Sequence, residues 1–167
     1  MSILNKIQLE SNGKVKVNFD GGYLSSDSGL LLIKEFVHKL GFYKCIKEIF
    51  KTNDTAVRTH KDNENLCQLI YQILAGYFND NDADELTREP VFTNILDKES
   101  LASQPTLSRF LNRMDTDTLG QFNEILKELR QLVYKVKKPE MVLFDLDSTL
   151  LETYGNGTIG VVLNNEL

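Results

Sequence analysis

The residues best suited to chemistry are two aspartates near the end of the chain, in the segment Phe144-Asp145-Leu146-Asp147-Ser148-Thr149-Leu150. They follow the continuous apolar run Met141-Val142-Leu143-Phe144, which predicts a buried strand. Because side chains alternate along a strand, Asp145 and Asp147 are expected on the same side. Two carboxylates in this arrangement suit a divalent cation, since Mg²⁺ prefers a few carboxylate oxygens and completes its shell with water and phosphate. The simpler alternative is that both acids cap a turn after the strand.

Two kinds of enzyme place aspartates after a strand in this way. In haloacid-dehalogenase-like phosphatases the strand leads into Asp-x-Asp-x-Thr, a spacing that Asp145, Asp147 and Thr149 match, with Asp145 as nucleophile and Asp147 as acid/base. In ribonuclease H-like transposases and nucleases the first strand supplies one aspartate to a two-metal site, often before Ser or Thr. Only 20 of the 167 residues follow Asp147, whereas either catalytic fold needs on the order of 100 residues for its sheet and remaining acids. The late position of the motif in the chain makes a phosphatase the less favoured interpretation.

A second candidate site is a predicted helix that begins near Ser103. Serine is a favoured helix cap, and the proline two positions later suits a first helical turn. Small polar residues at a helix start, followed by arginines, are typical of a helix that lies in the major groove of DNA. The alternative is a capped, solvated surface helix. The candidate contacts to bases or phosphates are Gln104, Thr106, Ser108, Arg109 and Arg113.

Charge is distributed unevenly along the chain. The formal net charge of −5 argues against a protein that coats nucleic acid indiscriminately. Residues 79–99 contain seven acids and two bases, whereas residues 109–138 contain seven bases and four acids. A DNA-facing surface is therefore expected in the later region despite the acidic total.

Composition also limits the location and redox chemistry of the protein. No apolar run approaches the roughly 18 to 20 residues of a membrane span, and Met1 to Glu10 lacks the pattern of a secretory signal. We therefore expect a soluble cytoplasmic protein without a membrane partner. Cys45 and Cys67 stand far apart, which predicts free buried thiols rather than a disulfide or a zinc site.

The elements that must position these residues are mostly helices. Apolar residues at helical spacing predict helices over residues 30–40, 42–50 and 66–77, one or two short helices in 79–99 with Pro90 opening the second, and a helix from Ser103. A long helix follows, and its apolar face is predicted as Leu119, Phe122, Leu126, Leu129, Val133 and Val136. Alternating apolar residues around Asn12-Gly13 predict an N-terminal β-hairpin with a tight primed turn. The expected fold is mainly α with a small N-terminal hairpin.

Three stretches, in order, resemble the thirteen-eighty family of insertion-sequence transposases. The first is Phe19-Asp20-Gly21-Gly22-Tyr23-Leu24-Ser25-Ser26-Asp27-Ser28-Gly29-Leu30-Leu31-Leu32. The second is Ala75-Gly76-Tyr77-Phe78-Asn79-Asp80-Asn81-Asp82-Ala83-Asp84-Glu85-Leu86, with Glu89 to Phe92 following. The third is Leu101 to Asn112, which is similar to the family's Leu-Ala-Ser-Gln-Pro-Thr-Leu-Ser-Arg-Phe-x-Asn signature.

The resemblance implies a helical region that binds double-stranded transposon-end DNA, here residues 1–138. It also implies a ribonuclease H-like domain of the DDE type, whose first strand lies in residues 139–167. In this family an Asp, an Asp and a Glu hold two Mg²⁺ ions about 3.5 to 4 Å apart, which activate water or a 3′-hydroxyl for in-line attack on a phosphodiester. Asp147 is the candidate for the first metal-binding acid, with Asp145 as its neighbour.

The chain departs from the family pattern after Tyr154-Gly155, where a Gln-rich turn and the rest of the catalytic sheet are expected but Asn156-Gly157-Thr158-Ile159-Gly160 follows. The second and third acids are missing, so we expect a transposase fragment with a truncated α/β domain that is inactive alone. Such a fragment is expected to associate with itself or with intact transposase. The alternative is a non-catalytic, helix-turn-helix-like repressor of transposition.

Overall fold

Seven helices and a two-stranded hairpin form the part of the chain that the structure, a computed structural model, describes: residues 6–18 and 27–143. Their bounds are β1 Lys6–Gln8, β2 Lys16–Asn18, α1 Leu30–Leu40, α2 Phe42–Ile49, α3 Asp62–Ala75, α4 Asp82–Leu86, α5 Pro90–Leu96, α6 Gln104–Leu111 and α7 Thr116–Val136. The chain divides into two units, Met1–Lys137 and Lys138–Leu167, and all of these elements belong to the first. The prediction of a mainly α fold with a small N-terminal hairpin is confirmed.

The hairpin differs from the sequence prediction in its turn. β1 and β2 pair antiparallel, with Ile7 opposite Val17, but residues 9–15 connect them, so a two-residue primed turn was the wrong prediction. Gly13 does not adopt a positive φ; in the described residues only Gly41, Gly76 and Asp97 do. Instead the Asn12 carbonyl accepts from Val15 N (3.0 Å) and its side chain accepts from Lys14 N (3.1 Å), as in an Asx turn.

Contacts with α1 explain the longer connection. Leu9 is only 1% exposed and belongs to a core cluster with Leu30 and Leu31 of α1. The Glu35 carboxylate accepts hydrogen bonds from the backbone nitrogens of Glu10 and Ser11, both at 2.9 Å. The burial of Leu9 and the hydrogen bonds to Glu35 thus favour the longer connection over a tight turn at Asn12-Gly13.

Two core clusters pack against α3, one toward its C-terminal end and one toward its N-terminal end. The first joins the hairpin, α1, α3 and α5, where Tyr71 and Phe92 are buried. The second joins α2, α3, α6 and α7 around Phe50, whose ring centroid lies 6.0 Å from that of Phe110 and 5.4 Å from that of Phe122. Since aromatic pairs at these distances stabilise a core beyond their buried area, the second cluster holds α6 and α7 against the rest of the unit.

The helix α7 packs through only part of the face predicted from the sequence. Thr118 and Ile125 are buried, while Phe122 and Leu129 pack partly against the second cluster. Leu119, Leu126, Val133 and Val136 are exposed. Leu119, Leu126 and Val133 recur every seven residues and so lie along one line of the helix. The apolar stripe is therefore wider than the surface against which α7 packs.

The predicted C-terminal strand is not seen where it overlaps the described residues. Residues 141–143 form no regular secondary structure, and Met141, Val142 and Leu143 are exposed. The described part of the second unit, residues 138–143, contains no strand. A single strand without a neighbouring strand would leave its backbone N–H and C=O groups unpaired. Phe144, Asp145, Asp147 and the remainder of the proposed truncated domain lie outside the described residues.

Candidate nucleic-acid interface

The start of α6 is fixed by two neighbouring helices. The segment leading into it is buried at Leu101 and Ala102, and Ala102 is hydrogen-bonded to the side chain of Gln68 on α3. Ser103 has the extended backbone of a cap (φ −75°, ψ 165°), but its side chain accepts no backbone N–H of the helix; its hydroxyl lies 3.3 Å from Thr106 Oγ1. The Gln104 backbone N–H donates to the Asp84 carboxylate of α4 at 2.8 Å.

Asp84 therefore occupies the electropositive end of α6. A helix N-terminus attracts anions because its first N–H groups are unpaired and its dipole is positive there. With a carboxylate already bound, this end is a poor place for a phosphate. The polar residues that made Ser103 to Thr106 resemble a DNA-binding helix start are thus in part a capping arrangement.

The five predicted DNA contacts divide between two sides of α6. Thr106, Arg109 and Arg113 line a pocket of about 280 Å³ whose other wall includes Arg58, His60 and Asn65; we call this the arginine pocket. Gln104 and Ser108 line a more apolar groove of about 370 Å³ between α3 and α6. The structure therefore does not bring all five residues to one surface.

Arg113 is held by two carboxylates within the protein. Its Nη2 lies 2.5 Å from Asp62 Oδ1, and its Nε lies 3.4 Å from Asp54 Oδ2. The side chain is 17% exposed, and its guanidinium carbon lies 5.8 Å from the centre of the Phe110 ring. The observed contacts of Arg113 tie α6 to residues 51–61 and to α3, so they stabilise the fold; contact with DNA remains a prediction for this residue.

Arg109 has the opposite environment. It is exposed, and its Nη2 donates to Thr106 Oγ1 at 3.4 Å, a long hydrogen bond. No carboxylate within residues 6–18 and 27–143 pairs with it. Of the two arginines predicted on α6, Arg109 is thus the one whose charge faces solvent.

Sequence reasoning missed the residues that form the other wall of the arginine pocket. Arg58 and His60 belong to residues 51–61, between α2 and α3, and Asn65 lies in the first turns of α3. Arg58 is paired with Asp54, and burial, together with the positive charge of Lys98, lowers the pKa of His60 below its ordinary value. No spacing in the sequence links these residues to α6, because tertiary contacts alone bring them together.

The groove on the Gln104 side has a different character. Ile73, Phe78 and Leu111 are exposed apolar residues along it, and Asp80 adds a negative charge. Asp84 lies beside the same helix end. A DNA backbone would meet carboxylates here but guanidinium groups at the arginine pocket, so the arginine side is the electrostatically favoured approach.

No catalytic metal centre falls within the described residues. In that part of the chain no group of three or more His, Cys, Asp or Glu side chains could hold a metal ion. Asp145 and Asp147, the predicted ligands, lie outside it. The helices that are described include none long and apolar enough to cross a membrane.

Comparison with known families identifies the chain. No curated protein and no solved structure matches it. The family model described as "Transposase DDE domain group 1" matches residues 7–160, which is nearly the whole chain and includes Asp145 and Asp147. The match supports a transposase rather than a phosphatase. The chain, with its hairpin, its helical unit and its Asp-x-Asp segment, belongs to the transposase family with a DDE domain of group 1.

Proposed function

We propose that this protein acts in the transposition of an insertion sequence, as a member of the thirteen-eighty family, and that its helical unit binds double-stranded DNA at the transposon ends. The observation that carries this proposal is Arg109, an exposed arginine on α6 without a carboxylate partner in the described residues, in a chain of a DDE transposase family. The protein then acts where chromosomal DNA lies, in the bacterial cytoplasm.

The shape of α6 supports a DNA contact along its outward face. Leu107 and Phe110 are buried, and the helical repeat places Pro105, Ser108, Arg109 and Asn112 on the opposite side. Small and polar side chains beside an arginine suit a helix lying in the major groove, where arginine recognises guanine and asparagine recognises adenine. Asn112 is exposed and joins Arg109 as a candidate base contact, with Ser108 at the edge of this face that borders the apolar groove.

The chemical step is assigned to Asp145 and Asp147. Their carboxylates are the oxygen ligands that Mg²⁺ prefers, and bound magnesium would activate the attacking hydroxyl and stabilise charge on the phosphodiester. We propose Asp147 as the first metal-binding acid and Asp145 as its neighbour. We also propose that the chain associates with a second copy of itself or with another transposase molecule, which would contact residues 139–167.

Binding to transposon-end DNA is tested by fluorescence anisotropy. The probe is a labelled duplex of about 30 base pairs carrying the terminal repeat that flanks the coding sequence, and the control is a shuffled duplex of the same composition. We expect tighter binding to the repeat, with an affinity that falls steeply as salt is raised from 50 to 200 mM. Equal affinity for both duplexes would contradict recognition of the ends, and absence of binding at 50 mM salt would contradict the DNA-binding function.

The metal assignment is tested with Mn²⁺, a paramagnetic substitute for Mg²⁺. We expect bound Mn²⁺, measured by electron paramagnetic resonance, to decrease in Asp147→Asn and Asp145→Asn. The matched control is Asp80→Asn in the acidic stretch 79–99, which should not change Mn²⁺ binding. If all three variants bind Mn²⁺ like the unmodified protein, the two aspartates are not the ligands.

A further inference from the structure

We propose that the arginine pocket holds one phosphodiester group of the DNA backbone, beside the bases that α6 contacts. This inference rests on the proposed DNA-binding function and deepens it, because it assigns the backbone contact to a particular pocket. Most of its residues come from outside the helix that the sequence indicated. A phosphate fixed there would set the position of α6 along the duplex, which is the usual role of backbone contacts.

The charge of the pocket fits an anion. Arg58, Arg109 and Arg113 all line it, and no aspartate or glutamate does. The carboxylates that pair with Arg58 and Arg113 belong to Asp54 and Asp62, which are not among the lining residues. They hold two guanidinium groups in place and offset their charge, so that the charge of Arg109 remains to be neutralised by a ligand.

A buried donor in the wall of the pocket points to an acceptor. Asn65 is 1% exposed, and its side-chain Nδ2 has no hydrogen-bond partner in the described structure. A buried polar group without a partner costs free energy that a ligand oxygen would recover. Phosphate oxygens accept several hydrogen bonds at once, and three of the residues that line this pocket, Asn65, Thr106 and Arg109, have side-chain donors.

The pocket is accessible to a phosphate that remains attached to DNA. Arg58 and Arg109 are exposed, and the pocket adjoins the outward face of α6, where Ser108 and Asn112 lie. A duplex docked on this face would therefore present a backbone phosphate to the pocket and base edges to the helix.

The test compares two pocket variants with one control in duplex binding. Arg109→Gln removes the exposed charge, and Asn65→Leu removes the buried donor while keeping the branched shape of the side chain. The control is Arg88→Gln, an exposed arginine in the acidic stretch. We measure the dissociation constant for the terminal-repeat duplex at several salt concentrations, and the melting temperature of each variant without DNA.

For Arg109→Gln we expect about tenfold weaker binding and a salt slope smaller by about 0.9, the value for one phosphate contact. For Asn65→Leu we expect weaker binding together with an unchanged or higher melting temperature, because the variant loses an unpartnered buried donor. Arg88→Gln should change neither quantity. A purely structural role for Asn65 would instead lower the melting temperature and leave the affinity of the folded protein unchanged.

The possible results separate this inference from the proposed function. If the protein binds the duplex and both pocket variants bind it with unchanged affinity and salt slope, the pocket proposal is wrong while DNA binding stands. If the protein binds no duplex, both fail together. A melting temperature that rises with inorganic phosphate in the unmodified protein but not in Arg109→Gln, without any effect of Arg109→Gln on duplex binding, would identify a site for free phosphate and overturn the assignment to DNA.

Discussion

Gln68 and Ala102 exchange two hydrogen bonds between α3 and the segment that leads into α6. The Gln68 side chain donates through Nε2 to the Ala102 carbonyl at 2.8 Å, and the Ala102 N–H donates to Gln68 Oε1 at 2.9 Å. Both residues are buried. The side-chain amide thus pairs with the backbone as a neighbouring strand would, and it fixes the residue directly before the cap of α6.

Replacing Gln68 by leucine should destabilise the fold. The variant Gln68→Leu leaves the N–H and the carbonyl of Ala102 buried without partners, which should lower the free energy of unfolding by about 2 to 4 kcal/mol. The control is Gln121→Leu, because Gln121 makes the same pair of bonds to the backbone of Lys51 (2.7 and 2.9 Å) at a more exposed position. There the loss should be below about 1 kcal/mol, since water replaces the lost bonds. Urea unfolding measures both, and equal losses would contradict this account.

Arg109 of α6 and Arg113, which directly follows that helix, should have separable roles. Arg113→Met removes the partner of Asp62 and Asp54 at a site where both ends of the pair are mostly buried, and we expect a loss of about 2 kcal/mol in the free energy of unfolding. Arg109→Met removes an exposed side chain without an ion pair in the described residues and should change stability by less than about 0.5 kcal/mol. If thermal unfolding shows that Arg109→Met is the more damaging change, the structural assignment of Arg113 is wrong.

The stability of the protein should fall in acid partly through Glu64. Burial by itself would raise the pKa of Glu64. The hydrogen bonds from the Lys98 side chain and the Lys61 backbone lower the pKa by more than burial raises it, so it lies below its ordinary value of 4.5. Between the two pKa values the unfolded chain binds more protons than the folded one. The stabilisation from Glu64 is therefore complete above 4.5 and is lost as the pH falls through the lowered pKa.

The variant Glu64→Gln tests this relation through the free energy of unfolding measured from about pH 6 to about pH 3. We expect it to be less stable than the unmodified protein at pH 6, with a difference that shrinks toward pH 3. Glu99→Gln, at an exposed position, should run parallel to the unmodified protein. A constant difference for Glu64→Gln across the range would show that its charge is not responsible.

The two cysteines should differ in reactivity. Both are free; Cys67 is buried, and burial raises the pKa of its thiol to about 12. Burial also raises the pKa of Cys45, which is only partly buried. Because the thiolate is the reactive form, iodoacetamide at about pH 8 should modify Cys45 first in the folded protein, and both equally in urea. Mass spectrometry of timed samples measures the order, and faster modification of Cys67 in the folded state would contradict its burial.

The helices were predictable from sequence because their signals are local. Apolar spacing indicated α3, and Ser103 with Pro105 indicated where α6 begins. The turn at Asn12-Gly13 was not predictable in the same way, since a Glu35 carboxylate more than twenty residues away holds the backbone of Glu10 and Ser11. A local preference was thus overridden by a distant contact.

The candidate site was predictable only in part. The sequence pointed to α6 and to Arg109, but the spacing could not show that Arg113 faces Asp62, 51 residues earlier, or that Asp84 binds the start of α6. Arg58, His60 and Asn65 carried no motif at all. Their grouping depends on how residues 51–61 fold over α3 and α6, which is a property of tertiary structure.

The anchoring of residues 51–61 has a consequence for the order of events during synthesis. Lys51 is held by Gln121, 70 residues later, and Asn53 by Asp115, 62 residues later. Contacts at such separations form late, because bringing distant parts of the chain together costs conformational entropy. On the ribosome, the hairpin with α1, α3 and α5 emerges before α7, so we expect the arginine pocket to reach its final shape only after α7 has docked. We therefore expect a nascent chain to complete the arginine pocket among the last steps of folding this unit.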